Sequence, residues 1–317
     1  MTVLFTALVS GHNNDKEDDV VLKKVAFSPV WWVLLVGWIV LIGNHPSFPT
    51  VIPEFGPFML LGIIGAIFAN ATGAGGGVVF VPFFQQLQFT AEAVIATSFA
   101  IQCCGMTAGA ISWQQYFRHG PESNSQWPLL KRVVGITAIG SLGGIWLTQY
   151  GLSESLPAMS FRQFGAQLHI GFGVFSILLA LGIFASILYL KRASTRTELT
   201  TIDLLALITV SGLGGIVTAY LSVGVGELVA VYLIFRGFSV TFSIAAAVIL
   251  SAISVWGGVY YHIVVTEAVV WGVVLFAGAG AILGGRLARY LVLWFSPRQV
   301  KVFFAGWVLL LGLASLF

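Results

Sequence analysis

Long apolar runs separated by short polar or basic stretches make up nearly the whole chain, and their lengths predict helices that cross a bilayer. A helix rises about 1.5 Å per residue and the hydrocarbon core is about 30 Å thick, so one span takes about 20 apolar residues. Runs 28–44, 93–117, 130–150, 168–190, 240–262, 268–290 and 300–317 satisfy that ruler. Segments 56–88 and 203–236 do not. Each is too long for one span, too short for two, and interrupted by Gly-rich sequence, which predicts two short half-helices joined inside the membrane as a broken pair or a re-entrant hairpin.

Loops rich in Lys and Arg stay on the cytoplasmic side. Lys23 and Lys24, the stretch 118–132 with Arg118, Lys131 and Arg132, the stretch 191–196 with Lys191, Arg192 and Arg196, and 286–301 with Arg286, Arg289, Arg298 and Lys301 therefore read as inside. Loops 45–55 and 263–267 carry no Lys or Arg and read as outside; Arg162 is the single exception to the scheme. The order is then span, broken pair, span, span, repeated once, with 300–317 as an extra C-terminal helix. The first broken pair enters from outside and the second from inside, which is an inverted-topology repeat. ATGAGG at 71–76 aligns with SVGVGE at 222–227, Trp127 with Trp271, and SLGG at 141–144 with AILGG at 281–285. The expected organisation is an N-terminal cytosolic tail over 1–26, a first membrane repeat over 28–150, a second over 168–290, and a C-terminal transmembrane helix over 300–317. The fold class is all-α and polytopic.

Composition sharpens this picture. Of 317 residues, 58% are hydrophobic and 9% charged, against about 25% charged in soluble domains. With a mean hydropathy of +0.95, the lipid bilayer is the expected solvent. The net charge of +3 is small and its basic residues are scattered between apolar runs, so nucleic acid is not an expected partner. Cys103 and Cys104 are adjacent and offer no disulfide or CxxC framework. They read as small hydrophobes, with contact to a sulfur-containing ligand as the alternative. His169 and His262 fall at span ends, and Trp31, Trp32, Trp127, Trp256, Trp271 and Trp294 lie mostly near span ends, as interfacial anchors do. No metal motif, P-loop, dinucleotide fingerprint or nucleophile elbow occurs, so no cofactor is expected.

Non-helical backbone survives in hydrocarbon only where protein buries it or a polar cavity receives it. The two Gly-rich breaks therefore mark the candidate site. Gly73, Gly75, Gly76 and Gly77 strip side chains from a helix start and leave N–H groups and a positive dipole end for a small oxyanion; close helix crossing is the other reading. Asn70, Thr72, Thr97, Ser98 and Gln102 are donors that could complete an anion site or bond helix to helix. Gly224 and Gly226 line the second break. Glu227 is the one charged residue placed well inside a predicted segment, so it should face water, bind a proton or find a partner. It reads as a proton-coupling group or gate, or else as a partner of Arg236 or a cap on broken-helix N–H groups.

The stretch GIIGAIFANATGAGGGVVFVP at 62–82, followed by ATS at 96–98, resembles the TauE/SafE family of sulfite and organosulfonate exporters, and SGLGGIVTAYLSVGVGELVAVYL at 211–233 resembles its second motif. The resemblance spans about residues 28–317. It implies a permease for small sulfur-containing or carboxylated anions in the plasma membrane, the inner membrane of a bacterium, working in the export direction. Its first motif falls on Gly73, Gly75, Gly76, Gly77 and Pro82 with Thr97 and Ser98, and its second on Gly224 and Gly226. Glu227 stands where a further Gly is expected and Leu233 where a Pro is. The leading expectation is an alternating-access secondary transporter, with protons as a further partner and the oligomeric state open. An intramembrane enzyme would need a nucleophile and base, or metal ligands, converging at one depth. An assembly or sensor subunit would have no cavity for its costly breaks to line.

Overall fold

A computed structural model describes residues 36–40, 43, 48–119, 123–152, 168–189 and 196–316. The expected tail over 1–26, Arg162, and most of the expected span over 28–44 lie outside the described residues; residues 36–40 and 43 of that span are helical. The described residues up to Glu54 belong to a unit of their own, containing most of helix α1, Phe48–Phe55. The second unit, from Phe55 onward, holds ten helices among its described residues. They are α2 (Phe58–Thr72), α3 (Gly77–Gln86), α4 (Ala91–His119), α5 (Ser123–Trp146), α6 (Leu168–Tyr189), α7 (Thr201–Leu221), α8 (Val225–Phe235), α9 (Val240–Val264), α10 (Trp271–Trp294) and α11 (Pro297–Ala314). A π-helical turn, Leu147–Leu152, extends α5. Six helical stretches of the described residues are long and apolar enough to cross a membrane, and the protein is an all-helical, multi-pass membrane protein.

Each anomalous segment resolves into a longer arm followed by a shorter one, of 15 and 10 residues in the first and 21 and 11 in the second, so that α7 alone exceeds a half-helix. Over 201–221 the apolar run continues for 21 residues, roughly 31 Å of helix. The arms after the breaks, α3 and α8, have 10 and 11 residues, roughly half the thickness of the hydrocarbon core, so neither crosses it unaided. Each turns back along its long arm. Phe58 at the start of α2 meets Phe83 and Phe84 at the end of α3, with ring centroids 6.4 and 6.1 Å apart. At the second hairpin, Tyr232 and Arg236 at the end of α8 bind Asp203 near the start of α7. Both segments are helical hairpins.

Helices α4 and α9 lie antiparallel at the centre: Phe99 contacts His262 and Phe117 contacts Phe242. The base of the first hairpin adjoins the beginning of α4 and the base of the second adjoins the beginning of α9, so the hairpins open toward opposite ends of the bundle. Packing around this centre follows the same two-fold scheme. Long arm α2 packs on α10, and long arm α7 packs on α5. Glycine makes each contact close. A Cβ on Gly280 or Gly284 would strike the carbonyls of Met59 or Ile63, and one on Gly144 or Gly215 would strike those of Gly212 or Ser141. Small residues at such crossings let backbones approach, which is how helices gain packing energy in lipid, where apolar burial contributes little. Trp271 and Trp294, at the two ends of α10, are exposed, as interfacial anchors are.

Candidate functional site

Where α2 ends, Gly73 adopts a left-handed conformation (φ 78°); where α7 ends, Ser222 does the same (φ 58°), followed by Gly224 at φ 141°. The two breaks meet. The Cα of Gly77 sits against the carbonyl of Ser222, and the Cα of Gly226 sits against the carbonyl of Gly73. This reciprocal contact matches Gly73 with Ser222 and Gly77 with Gly226, a register shifted from the sequence match of Gly73 with Gly224. Glycine identity misled that match, because Ser222 takes the left-handed position that a glycine occupies in the first repeat. In the structural register Glu227 replaces Val78 rather than a glycine.

The N-termini of the two short arms converge on one carboxylate. Glu227 is buried, its Oε1 accepting the Gly75 N–H at 2.8 Å and its Oε2 the Gly224 N–H at 2.9 Å. One side chain thereby caps donors from both breaks and sits at two positive helix ends. Of the readings open for Glu227, the pairing with Arg236 is overturned, since Arg236 binds Asp203; the capping geometry is the one observed.

Gln102 of α4 makes the second link. Its Oε1 accepts the Gly76 N–H at 2.8 Å, and its Nε2 lies 2.8 Å from Ser222 Oγ, 3.1 Å from the Ser222 carbonyl and 3.1 Å from Ser98 Oγ. Ser222 Oγ in turn donates to Ser98 Oγ at 2.9 Å. On the second break, Thr218 Oγ1 accepts the Val225 N–H at 2.9 Å. All these residues are buried.

Gly75, Gly76, Gly77, Ser98, Gln102, Gly224, Gly226 and Glu227 are thus brought together, with Gly73 touching Gly226. Three other candidates have different work. Asn70 donates to the Ala66 carbonyl at 2.8 Å and the Gly105 carbonyl at 3.3 Å, tying α2 to α4. Thr72 closes its own break, donating to the Phe68 carbonyl and accepting the Ala74 N–H. Thr97 accepts the Val270 N–H at 3.0 Å, capping the entry of α10. Ser222 and Thr218 escaped notice because a hydroxyl in an apolar run carries no charge or motif. Cys103 packs in the hydrophobic core, with Cys104 beside it half-buried. His262, in the last turn of α9, is buried against Phe99 and Tyr261.

Asp203, at the edge of its apolar segment, was not singled out from the sequence either. It is wholly buried and takes five donors: Tyr232 Oη (2.8 Å) and Arg236 Nε on Oδ1, and Arg196 Nη1 (2.9 Å), the Thr200 N–H (3.0 Å) and Thr200 Oγ1 (2.7 Å) on Oδ2. Thr200 and Asp203 form the capping box that starts α7.

No curated protein and no solved structure gives a significant match to the chain. A family profile described as "Sulfite exporter TauE/SafE" matches residues 58–315, which takes in both hairpins, the helices that follow each, and α11. The chain belongs to that family of membrane transporters.

Proposed function

We propose that the protein is a secondary transporter that moves small anions, namely sulfite, organosulfonates or chemically similar sulfur-containing anions, across the plasma membrane. The observation that carries this reading is the Glu227 carboxylate held between N–H groups of two oppositely entering hairpins. A crossing built to hold one carboxylate on backbone N–H groups has the chemistry to hold an oxyanion instead. Glu227 fills that place with its own charge. Protonation removes the charge and turns one carboxylate oxygen into a hydroxyl, freeing one of the Gly75 and Gly224 N–H groups to donate to an arriving anion, so proton and anion load together. The direction then follows their combined gradients, and export is the direction that the family description favours.

In this reading residues 28–150 and 168–290 are repeats that rock against each other around the crossing. The tail over 1–26 and the basic end of the bundle are cytoplasmic. Gly73, Gly75, Gly76, Gly77, Ser98, Gln102, Gly224 and Gly226 form the substrate-binding region; Asn70, Thr72 and Thr97 shape its walls. No step calls for a catalytic group.

The test is uptake of radiolabelled sulfite, sulfoacetate, taurine and a carboxylate control into proteoliposomes, with and without an imposed pH gradient. Saturable movement of one sulfur anion that responds to the gradient is the expected result. Saturable movement of the carboxylate alone would replace the substrate class, and no movement of any of them by folded protein would overturn the reading.

A further inference from the structure

The two hairpins are alike at their tips and unlike at their bases. Aromatic packing closes the first: Phe58 against Phe83 and Phe84, with Phe84 stacked on Phe89 at 5.3 Å. Parting that base means separating these rings. The second is closed by one carboxylate. Asp203 binds the extended segment before α7 through Arg196 and Thr200, and the end of α8 through Tyr232 and Arg236. The Arg196 N–H also donates to the Gly237 carbonyl at 3.3 Å, beyond the end of α8. The guanidinium groups are about one-third exposed, at 35% and 34%, while the carboxylate has no exposure.

Glu227 lies in the first turn of α8, and Arg236 caps its end. This helix is a short rod of roughly 16 Å, gripped by Asp203 at one end and by Gly75 at the other. Whatever fixes the base fixes the depth and rotation of the tip. We propose that Asp203 is a positioning residue for anion transport: by clamping Arg196, Tyr232 and Arg236 it sets where α8 presents Gly226 and Glu227 to the crossing. The proposal rests on the transport reading for its function, though not for its geometry. Asp203 touches no substrate and acts through α8. The clamp joins the arms of the second hairpin through charge and directed hydrogen bonds, where the first is joined through ring packing.

The test uses the full chain in lipid nanodiscs. Hydrogen exchange is measured over α8 and, as an internal reference, over α3, for the parent protein and for Asp203→Asn, Asp203→Glu and Tyr232→Phe. The expected result for Asp203→Asn is at least roughly tenfold faster exchange in α8 with α3 unchanged. Exchange is partly restored by Asp203→Glu, and Tyr232→Phe gives a smaller effect of the same kind. In proteoliposomes, Asp203→Asn raises the KM for sulfite by more than it lowers the maximal rate. Unchanged α8 exchange in folded Asp203→Asn overturns the proposal, as does equal acceleration in α3 and α8. Should Asp203→Asn not fold, Tyr232→Phe and Arg236→Gln carry the same decision. Faster α8 exchange in Asp203→Asn, with a parent protein that moves none of the anions, upholds the clamp and defeats the transport reading instead.

Discussion

Glu227 is the residue at which charge, burial and fold meet. A buried carboxylate without partners would cost several kcal/mol, and here the cost is offset by N–H groups that the two breaks leave without helical acceptors. Glu227→Gln keeps the shape but offers one acceptor oxygen where two are used, so one of Gly75 and Gly224 loses its bond. We expect a stability loss of about 1–3 kcal/mol and transport that no longer responds to an imposed pH gradient, both measured on the same reconstituted protein. Fully retained pH dependence would remove Glu227 from the coupling step. Gln102 makes a separable case. Gln102→Ala removes the acceptor for Gly76 and the donor for Ser222 without altering any charge. It should destabilise by about 1–3 kcal/mol per buried group left unpaired while leaving the pH response in place, which thermal unfolding and gradient-driven flux would separate. The importance of Glu227 could be read from its isolation in an apolar run. Its partners could not, because Gly75 is 152 positions away in sequence and the link exists only once the hairpins cross. Asn70 and Thr97 show the converse: a polar residue in a membrane helix announces a hydrogen bond, but its own sequence cannot say whether the partner is a ligand or a neighbouring helix.

At the scale of elements, the breaks were legible, and of the two shapes open for them the hairpin is the one observed. Gly-rich sequence at 73–77 and 224–226 predicted interruption, and the structure places helix ends there. The unequal arms follow from where the glycines fall within each apolar segment, and the return of the short arm depends on contacts such as Phe58 with Phe84. The glycines also divide into those that the crossing requires and those it does not. A Cβ at Gly77 would meet the Ser222 carbonyl, and one at Gly226 the Gly73 carbonyl and Ser251 Oγ, whereas one at Gly143 meets nothing within 4 Å. Gly77→Ala and Gly226→Ala should each cost about 1–3 kcal/mol through overpacking. Gly143→Ala, in the interior of α5, should be neutral or slightly stabilising, since Ala is the better helix former. Thermal unfolding of the three variants in one detergent is the measurement, and equal melting temperatures would mean that the breaks do not interlock as described.

At the scale of the whole molecule, the opposed hairpins and the charge distribution bear on the same question of which end faces the cytoplasm. Arg118 follows closely on Phe117, whose ring meets Phe242 near the start of α9. The Asp203 cluster brings Arg196 and Arg236 to that end of the bundle. Arg289 also reaches it, donating to the Ser112 carbonyl on the last turns of α4. At the opposite end, the described residues 87–90 and 263–270 carry neither Lys nor Arg, while Arg162 lies outside the described residues. Because basic loops are retained in the cytoplasm, the second hairpin should open inward and the first outward. In a background with Cys103 and Cys104 replaced by Ala, a membrane-impermeant thiol reagent added to intact cells should label Val265→Cys and spare Thr197→Cys until the membrane is permeabilised. The reverse pattern would turn the molecule over and put the Asp203 clamp on the outer face. Labelling of both sites in intact cells would mean that the chain inserts in two orientations, and the charge asymmetry would then be too weak to orient it.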